Sequence, residues 1–224
     1  MMDGMTLDSE MRQRLEALST TNLSDAMDSL RIAGAVSGIR PMFKVPRVVG
    51  RAVTIKITAA GEKKSQVHLG VEAIAAADKG DVIVVSNHGD VKNNCWGEVL
   101  SCAAKVKSVS GVVIDGAARD IDACEEMGFP VFARAAVPIT ARGRIMQEAY
   151  NVTVRMGDVQ VNPGDIVVAD VNGVVFIPPA RLAEVVEAAE TLMAKEERMK
   201  ADLLAGMDVL EVDRKYNYEN MLKK

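Results

Sequence analysis

The chain has 224 residues, of which 49% are hydrophobic, and a formal net charge of -4. This is enough for one domain with a substantial core. The isoelectric point near 5.4 argues against a polyanion-binding surface, because nucleic-acid binders usually present a basic face. No apolar run is long enough to span a bilayer, and acidic residues stand where a signal peptide has its apolar core. We therefore expect a cytoplasmic protein with neither a nucleic-acid nor a membrane partner.

The hydrophobic pattern predicts an α/β core behind a helical N-terminal segment. Residues 8–32 have helical spacing, and Ser24 and Asp25 open a second apolar turn. Short β-branched runs then alternate with stretches of helical spacing, which is typical of an α/β core. The predicted strands are residues 53–57, 82–86, 111–114, 131–133 and 166–169, and the predicted helices between them are residues 67–77, 96–106 and 121–127.

The last part of the chain predicts a hairpin followed by a long helix. Residues 174–177 return after Asn172-Gly173, as the second strand of a hairpin would. From residue 179 to about residue 206, apolar residues follow helical spacing among many Glu and Lys residues. This helix either packs on its own core or reaches a neighbouring subunit. We assign residues 1–206 to a single catalytic domain and residues 207–224, which contain no motif, to a C-terminal tail.

Cysteine and histidine usage limits the metal chemistry of the chain. The odd number of cysteines and the absence of a CxxC pair predict reduced thiols, buried as small hydrophobic residues. These cysteines are Cys95, Cys102 and Cys124. The two histidines, His68 and His88, form no HExxH motif, so a histidine-rich zinc site is not expected. A bound metal would need oxygen ligands.

Charged residues follow a predicted buried strand in the segment from residue 94 to residue 130. After residues 111–114 and a short glycine-containing turn, Arg119 and Asp120 come directly before a predicted helix. In open α/β sheets, ligands bind in the crevice at the carboxyl ends of the strands. A purely structural explanation is also open, with Asp120 as a helix N-cap and Arg119 paired with Glu125 or Glu126 on the surface.

The preceding predicted helix opens with Gly97-Glu98-Val99-Leu100. The helix dipole favours an acidic residue in a first turn, and Gly97 fits an ordinary loop, so neither residue alone indicates a site. The joint pattern is more informative, because Glu98 is followed by twenty residues (99–118) and then by Arg119-Asp120.

This spacing, the run Gly111-Val-Val-Ile-Asp-Gly-Ala-Ala-Arg-Asp and the strand at residues 129–132 carry a family resemblance. The sequence resembles the aldolases that cleave 4-hydroxy-4-methyl-2-oxoglutarate and 4-carboxy-4-hydroxy-2-oxoadipate, within the wider family similar to regulator of ribonuclease activity A. The resemblance covers roughly residues 20–180. It implies an α/β fold of the swivelling β/β/α type, assembled as a homotrimer or homohexamer with sites between subunits. The aldolases often carry aspartate where this chain has Glu98, which keeps the charge on a longer arm.

The resemblance also implies roles for individual residues. Asp120 is the implied ligand of Mg²⁺ or Mn²⁺, Glu98 the partner of a water on that ion, and Arg119 the contact to the substrate's keto oxygen. The backbone N–H groups implied to hold the pyruvyl carboxylate are those of Gly97, Glu98, Val99 and Leu100. The implied reaction releases pyruvate and a second oxo acid. The alternatives are oxaloacetate decarboxylation through the same enolate and a non-enzymatic, ribonuclease-inhibitor-like binding role.

Three further sets of residues are left open by the sequence. The resemblance implies an acidic residue from an adjoining subunit, for which the candidates are Glu190, Glu196 and Glu197. An extra substrate carboxylate at C4 would need positive charge, for which the candidates are Arg47, Arg142 and Arg144. A Schiff-base mechanism would need a lysine with an apolar environment. Of Lys56, Lys92, Lys105 and Lys107, Lys56 comes nearest, between two isoleucines.

Overall fold

A computed structural model describes residues 7–62 and 67–217. Residues 1–6, part of the segment compared with a signal peptide, and residues 218–224 of the predicted tail lie outside the described residues. The helices are α1 (Ser9–Ala17), α2 (Thr20–Ser29), α3 (Val71–Ala76), α4 (Glu98–Val106), α5 (Ile121–Met127), α6 (Leu182–Leu204) and α7 (Val209–Tyr216). The strands are β1 (Ala35–Val36), β2 (Arg40–Pro41), β3 (Val48–Ala59), β4 (Val82–Ser86), β5 (Gly111–Asp115), β6 (Ala117–Ala118), β7 (Val131–Ala133), β8 (Ala135–Ala136), β9 (Ile145–Tyr150), β10 (Val154–Met156), β11 (Val159–Val161), β12 (Ile166–Asp170) and β13 (Gly173–Ile177).

The main sheet is organised around the long strand β3. Its strand order is β1-β13-β12-β3-β4-β5-β7-β2, and β9 also pairs with β3. Strands β3, β4, β5 and β7 run parallel to one another. Strands β9 and β12 are antiparallel to β3, and β2 is antiparallel to β7. The small pairs β6–β8 and β10–β11 lie outside this sheet. The predicted α/β fold class, with N-terminal helices and a long C-terminal helix, is confirmed.

Both faces of the sheet are covered, so strands such as β4 and β5 are buried along their whole length. One face packs on α3, α4 and α5 through a cluster that includes Trp96 and Phe129. Phe132 and Phe176 belong to a second cluster shared with β10 and β11, and α1, α2 and α6 pack on β12 and β13 in a third. These layers fix the carboxyl ends of the parallel strands in place.

The N-terminal segment forms two helices, and the second begins earlier than predicted. The backbone is extended at Leu18, and Ser19 caps α2 by accepting a hydrogen bond from the Asn22 N–H at 3.0 Å. Ser24 and Asp25 lie inside α2, so the prediction that they open a turn was wrong. Ser19 sets the start because serine is a strong N-cap residue.

Two predicted helices are shorter at their N-terminal ends than the apolar spacing indicated. Helix α3 begins only after Gly70, whose φ of 87° is left-handed and therefore stops a helix from extending backward. Helix α4 begins at Glu98, which leaves Trp96 and Gly97 in the preceding loop. The consequence is a loop directly before α4 whose backbone runs beside the segment that follows β5.

The C-terminal part confirms the predicted hairpin and long helix. Asp170 pairs with Gly173 across the turn between β12 and β13. The apolar stripe of α6 is buried against α2 and the sheet, as expected for packing on its own core. Within the predicted tail, α7 packs on α6 through buried Val212 and a Tyr216 hydroxyl that donates to Asp202 at 2.7 Å. None of the described helices combines the length and apolar content needed to cross a membrane.

Asp170 joins the β12–β13 hairpin to the start of α2. Its carboxylate accepts hydrogen bonds from the Thr20 N–H at 2.9 Å, the Thr20 hydroxyl at 2.7 Å and the Asn172 N–H at 2.9 Å. Burial by itself would raise the pKa of Asp170, but these hydrogen bonds and the charge of Arg47 outweigh it. The pKa of Asp170 therefore lies below its ordinary value.

We expect Asp170→Asn to lower the free energy of unfolding by about 2 kcal/mol at pH 7, because it removes charge-assisted hydrogen bonds. A depressed carboxyl pKa stabilises the fold above the unfolded-state pKa of about 3.9, and this contribution is lost as the pH falls through the folded pKa. The gap between parent and variant should therefore shrink between pH 5 and pH 2. Urea unfolding measures it, with Asp28→Asn on the exposed face of α2 as the control. A gap independent of pH would contradict the assignment.

Candidate active site

The candidate site lies where the chain leaves the carboxyl end of β5. Strand β5 ends at Asp115, and β6 then pairs in parallel with β8. The Arg119 N–H donates to the Trp96 carbonyl at 3.0 Å, and the Cys95 N–H donates to the Ala117 carbonyl at 2.9 Å. These bonds bring Arg119 and Asp120 beside the start of α4, although Glu98 is far from them in sequence.

A buried ion pair fixes this end of the sheet. The Asp115 side chain is 3% exposed, pairs with Arg134, and accepts a hydrogen bond from the Gly157 N–H at 2.9 Å. The Arg134 N–H donates to the Gly116 carbonyl at 2.9 Å. The two side chains line a separate polar cavity of about 360 Å³ together with His88, so His88 stands apart from Arg119 and Asp120. The backbone that leads to Arg119 is thus held from both sides.

Asp120 occupies the N-cap position of α5 but does not cap the helix. Its backbone is left-handed, with φ 54° and ψ 42°, and its side chain accepts no capping hydrogen bond. Its Oδ2 accepts a hydrogen bond from the Glu98 N–H at 3.2 Å and lies 3.3 Å from Arg119 Nε. Left-handed non-glycine residues cost about 1–3 kcal/mol and cluster at functional sites. The carboxylate therefore faces the start of α4, and helix capping does not account for it.

Arg119 is half-buried and does not pair with Glu125 or Glu126, the surface partners considered from the sequence. Its only described ion pair is with Asp120, and the Arg119 Nε–H has no hydrogen-bond acceptor among the described residues. A buried guanidinium donor without an acceptor is costly inside a protein. The hydrogen-bonding capacity of this donor is therefore unused within the described residues.

Gly97 provides the space in which these side chains meet. A Cβ atom at this position would lie 2.7 Å from Asp120 Oδ2 and 3.3 Å from Arg119 Cγ. The φ of -154° is extended and open to any residue, so the need for glycine arises from close approach. Any side chain at residue 97 would push Asp120 away from the start of α4.

The residues assigned from the sequence all line one cavity of about 320 Å³. These are Gly97, Glu98, Val99, Leu100, Arg119 and Asp120. Seven further residues line the cavity. The sequence had left Arg142 open as one of three candidate arginines, and it had not connected the other six with the site: His68, Leu69, Asn94, Cys95, Trp96 and Ala141. Residues 94–96 come directly before the segment of residues 97–100. Their nearness to this segment, with polar Asn94 before apolar Cys95 and Trp96, was a signal in the sequence that could have placed them in the site.

A buried hydrogen-bond network supports the start of α4 from below. The Trp96 Nε1–H donates to Ser101 Oγ at 2.9 Å, and the Ser101 hydroxyl lies 3.1 Å from the Gly97 carbonyl oxygen and 3.2 Å from Cys124 Sγ. Burial raises the pKa of the Cys124 thiol, which keeps it protonated within this network. The loop before α4 is consequently held in one position.

The cysteine prediction is confirmed for two of the three residues. Cys95 and Cys124 are buried, and burial raises the pKa of the Cys95 thiol far above its ordinary value. Cys102 is exposed, so its predicted burial was wrong. The physical reason is its place on α4, whose buried residues Leu100, Ser101 and Ala104 leave Cys102 on the solvent face.

Comparison with known proteins places this arrangement in a family. The family described as Aldolase/RraA, RraA-like, matches residues 20–176. The chain belongs to the RraA-like family.

Three similar proteins illustrate the breadth of the RraA-like family. Protein DlpA of Legionella pneumophila is 30% identical over 207 residues, which are 92% of this chain but only 34% of DlpA, so the chain spans about a third of that relative. A Halalkalibacterium halodurans protein, provisionally named 4-hydroxy-4-methyl-2-oxoglutarate aldolase, is 34% identical over 82% of this chain and 84% of its own. The crystal structure of Streptomyces coelicolor RraAS2, described as an unusual member of the RNase ES inhibitor RraA protein family, has a TM-score of 0.79. It is 28% identical and covers 86% of this chain and 96% of its own.

In this RraA-like chain, Asp120 and Glu98 are the carboxylates of the cavity. Within residues 7–62 and 67–217, no group of three or more His, Cys, Asp or Glu residues is placed to hold a metal ion. That donor set does not suit a protein-enclosed zinc site. It does fit Mg²⁺, which is commonly bound through one or two carboxylates with water and substrate oxygens in the other positions.

The structure distinguishes the lysines and arginines that the sequence left as candidates, because most of them lie outside the cavity. No described lysine lines the cavity, and Lys56 pairs with Glu148 at 2.8 Å with 38% of its side chain exposed. Arg47 contacts Asp170 and the Glu16 carbonyl, and Arg144 donates to the Thr140 carbonyl at 3.1 Å. Among the three candidate arginines, Arg142 is the one that reaches the cavity.

Proposed function

We propose that the protein is a divalent-metal-dependent aldolase that cleaves 4-hydroxy-4-methyl-2-oxoglutarate or 4-carboxy-4-hydroxy-2-oxoadipate to pyruvate and a second oxo acid. The observation that carries the proposal is the Asp120 carboxylate, which is turned from α5 to the start of α4 and lies beside an Arg119 donor without an acceptor. Such an arrangement suits an anionic, oxygen-rich ligand. The aldolase name of a relative supports the same reaction.

The start of α4 supplies a place for the pyruvyl carboxylate. The first N–H groups of a helix have no intrahelical partner and carry the positive end of the helix dipole. The Glu98 N–H already donates to Asp120 Oδ2 at 3.2 Å, so we assign the pyruvyl carboxylate to the neighbouring N–H groups of Val99 and Leu100. Both residues line the cavity, so a bound carboxylate there would direct the keto group toward Arg119.

Asp120 is the residue that would hold Mg²⁺ or Mn²⁺, with Glu98 close by. When bound, the ion supplies positive charge that polarises the keto group and lowers the energy of the enolate. Arg119 would direct its Nε–H toward the same keto oxygen, and its planar guanidinium offers donors in a fixed geometry. A donor oriented by its ion pair with Asp120 would stabilise the negative charge that develops there.

The bond changes balance without a co-reactant. The C4 hydroxyl gives its proton to a water molecule, which passes one of its own protons to the Glu98 carboxylate, and the freed electron pair forms the C4 carbonyl. The C3–C4 bond breaks, and its electron pair passes into the pyruvate enolate, whose charge Arg119 balances. The proton then returns to C3, so the two products together equal the substrate. For the 4-methyl substrate, both products are pyruvate.

We expect EDTA to abolish pyruvate release and added Mg²⁺ or Mn²⁺ to restore it, because the described residues provide too few ligands for an ion that resists chelation. Borohydride added together with substrate should leave the activity unchanged, since no described lysine lines the cavity. A lactate-dehydrogenase-coupled assay measures both results. Full turnover in EDTA, or inactivation by borohydride with a matching mass increase, would contradict the metal-dependent mechanism.

Arg142 and the acids of α6 bear on the outer part of the site. Arg142 lines the cavity, and we assign it to the extra carboxylate of 4-carboxy-4-hydroxy-2-oxoadipate. A homotrimer or homohexamer with shared sites is part of the proposal. Three acids of α6 are candidates for the acidic residue that an adjoining subunit would contribute. Of these, Glu190 pairs with Arg14, and Glu196 accepts a hydrogen bond from Asn22 Nδ2. Glu197 has an exposed partner on its own helix, Lys200, and is therefore the most readily freed.

Oxaloacetate decarboxylation is a second reaction that the same cavity supports. Loss of carbon dioxide from oxaloacetate leaves the same pyruvate enolate, so the Arg119 Nε–H would stabilise it in the same way. No proton has to be removed before the bond breaks. The two reactions therefore share the stabilisation of the enolate but differ in their need for a base.

A further inference from the structure

Asn94 is a buried polar residue of the cavity that the proposed reaction leaves without a role. It is 6% exposed, and its Oδ1 has no hydrogen-bond partner among the described residues. Its Nδ2 lies 3.5 Å from the Trp96 carbonyl oxygen, at the long limit of a hydrogen bond. An unpaired buried acceptor costs about 1–3 kcal/mol, and such groups are few in native proteins.

The backbone of Asn94 is fixed, while its amide group can turn. The Asn94 N–H donates to the Ile139 carbonyl at 3.1 Å, and Asn94 forms a bridge with Ala117 in β6. The terminal torsion of an asparagine is broad, so Oδ1 can rotate toward the cavity without moving the chain. Asn94 therefore offers an acceptor that its side chain can direct into the cavity lined by Arg119 and Asp120.

The partner of this acceptor must be a proton donor. The carboxylate and keto oxygens of a 2-oxo acid have no proton to offer, and the C4 hydroxyl must direct its one proton at the base. A water that serves as a base must point a lone pair at the substrate hydroxyl, so acceptors have to bind its two hydrogens. Glu98 provides one such acceptor, and Asn94 Oδ1 provides a second.

We infer that Asn94 is a positioning residue, which accepts a hydrogen bond from the water that takes the proton of the C4 hydroxyl. This inference rests on the proposed aldolase function. It limits the role of Asn94 to proton removal, because cleavage of a 4-hydroxy-2-oxo acid needs that step and decarboxylation of oxaloacetate does not. The two reactions on one enzyme therefore separate the role of Asn94 from substrate binding and from folding.

The test compares Asn94→Ala and Asn94→Ser with Asn93→Ala, a matched control at the adjacent position whose Nδ2 donates to Asp90 at 3.2 Å. For Asn94→Ala, kcat for cleavage of 4-hydroxy-4-methyl-2-oxoglutarate should fall by at least about 10-fold with KM little changed. Its decarboxylation of oxaloacetate should stay within about 2-fold of the parent. Cleavage should recover in part as the pH rises, because hydroxide then substitutes for the oriented water.

Equal loss of both reactions, or full retention of cleavage, in folded Asn94→Ala would overturn the inference. If that variant does not fold, Asn94→Ser is judged by the same ratio of cleavage to decarboxylation. Its shorter side chain keeps a polar acceptor in the wall but places it farther from the water. A parent protein that performs neither reaction would instead refute the proposed function, and this inference with it.

Discussion

Replacing Asp120 with alanine should lower kcat for pyruvate release by more than about 100-fold, because it removes the carboxylate assigned to the metal. The fold should tolerate the change. The Asp120 side chain is 39% exposed and makes no capping bond to α5, and its polar contacts among the described residues are with the Glu98 N–H and Arg119. Alanine in this left-handed backbone costs up to about 1–2 kcal/mol, so the thermal midpoint of the variant should fall by about 2–8 °C and the variant should remain folded.

Asp120→Asn separates charge from shape. An asparagine tolerates the left-handed backbone and can still accept from the Glu98 N–H, but it lacks the negative charge that a divalent ion requires. We expect the same loss of kcat as for alanine. Asp122→Ala, an exposed acid in the first turn of α5, is the control and should be fully active. An active Asp120→Asn variant would place the metal elsewhere.

Replacing Arg119 with lysine should lower kcat about 100- to 1,000-fold, the range seen when a preorganised donor is lost from a developing oxyanion. Lysine keeps the positive charge but not the planar group whose Nε atom lies 3.3 Å from Asp120 Oδ2. The conservative change therefore tests geometry rather than charge.

The control for Arg119 is Arg155→Lys, since Arg155 pairs with Asp158 at an exposed turn outside this cavity. Its kcat and KM should match those of the parent. A rise in KM with unchanged kcat for Arg119→Lys would mean that Arg119 binds the substrate equally in ground and transition states. That outcome would remove its assigned role in stabilising the enolate.

The sequence predicted the buried strands well, because their signal is local. The run at residues 82–86 consists mainly of β-branched residues, ends at polar Asn87, and forms β4 with the predicted bounds. Helix starts were harder, since they depend on capping and backbone angles that apolar spacing does not contain. Because Ser19 is the N-cap, α2 begins at Thr20, before the position predicted from the sequence. Because Gly70 is left-handed, α3 begins later than predicted.

The candidate site was predicted as a motif but not as a geometry. A capping aspartate and a metal-binding aspartate can occupy the same position before a helix, so the local sequence around Asp120 fits both. The left-handed backbone of Asp120 and the close approach of Gly97 favour the second, and neither can be read from residue types. His68 and Arg142 reach the cavity from distant segments, which only the tertiary fold brings together.

The most direct test is the amount of pyruvate that the parent protein releases from 4-hydroxy-4-methyl-2-oxoglutarate in the presence of Mg²⁺ or Mn²⁺. Oxidation of NADH by coupled lactate dehydrogenase reports it. We predict sustained turnover that produces two pyruvate molecules for each substrate consumed. A folded protein that releases no pyruvate with either metal would contradict the assignment of Arg119, Asp120 and Glu98 to an aldolase site, and would favour a ribonuclease-inhibitor-like binding role instead.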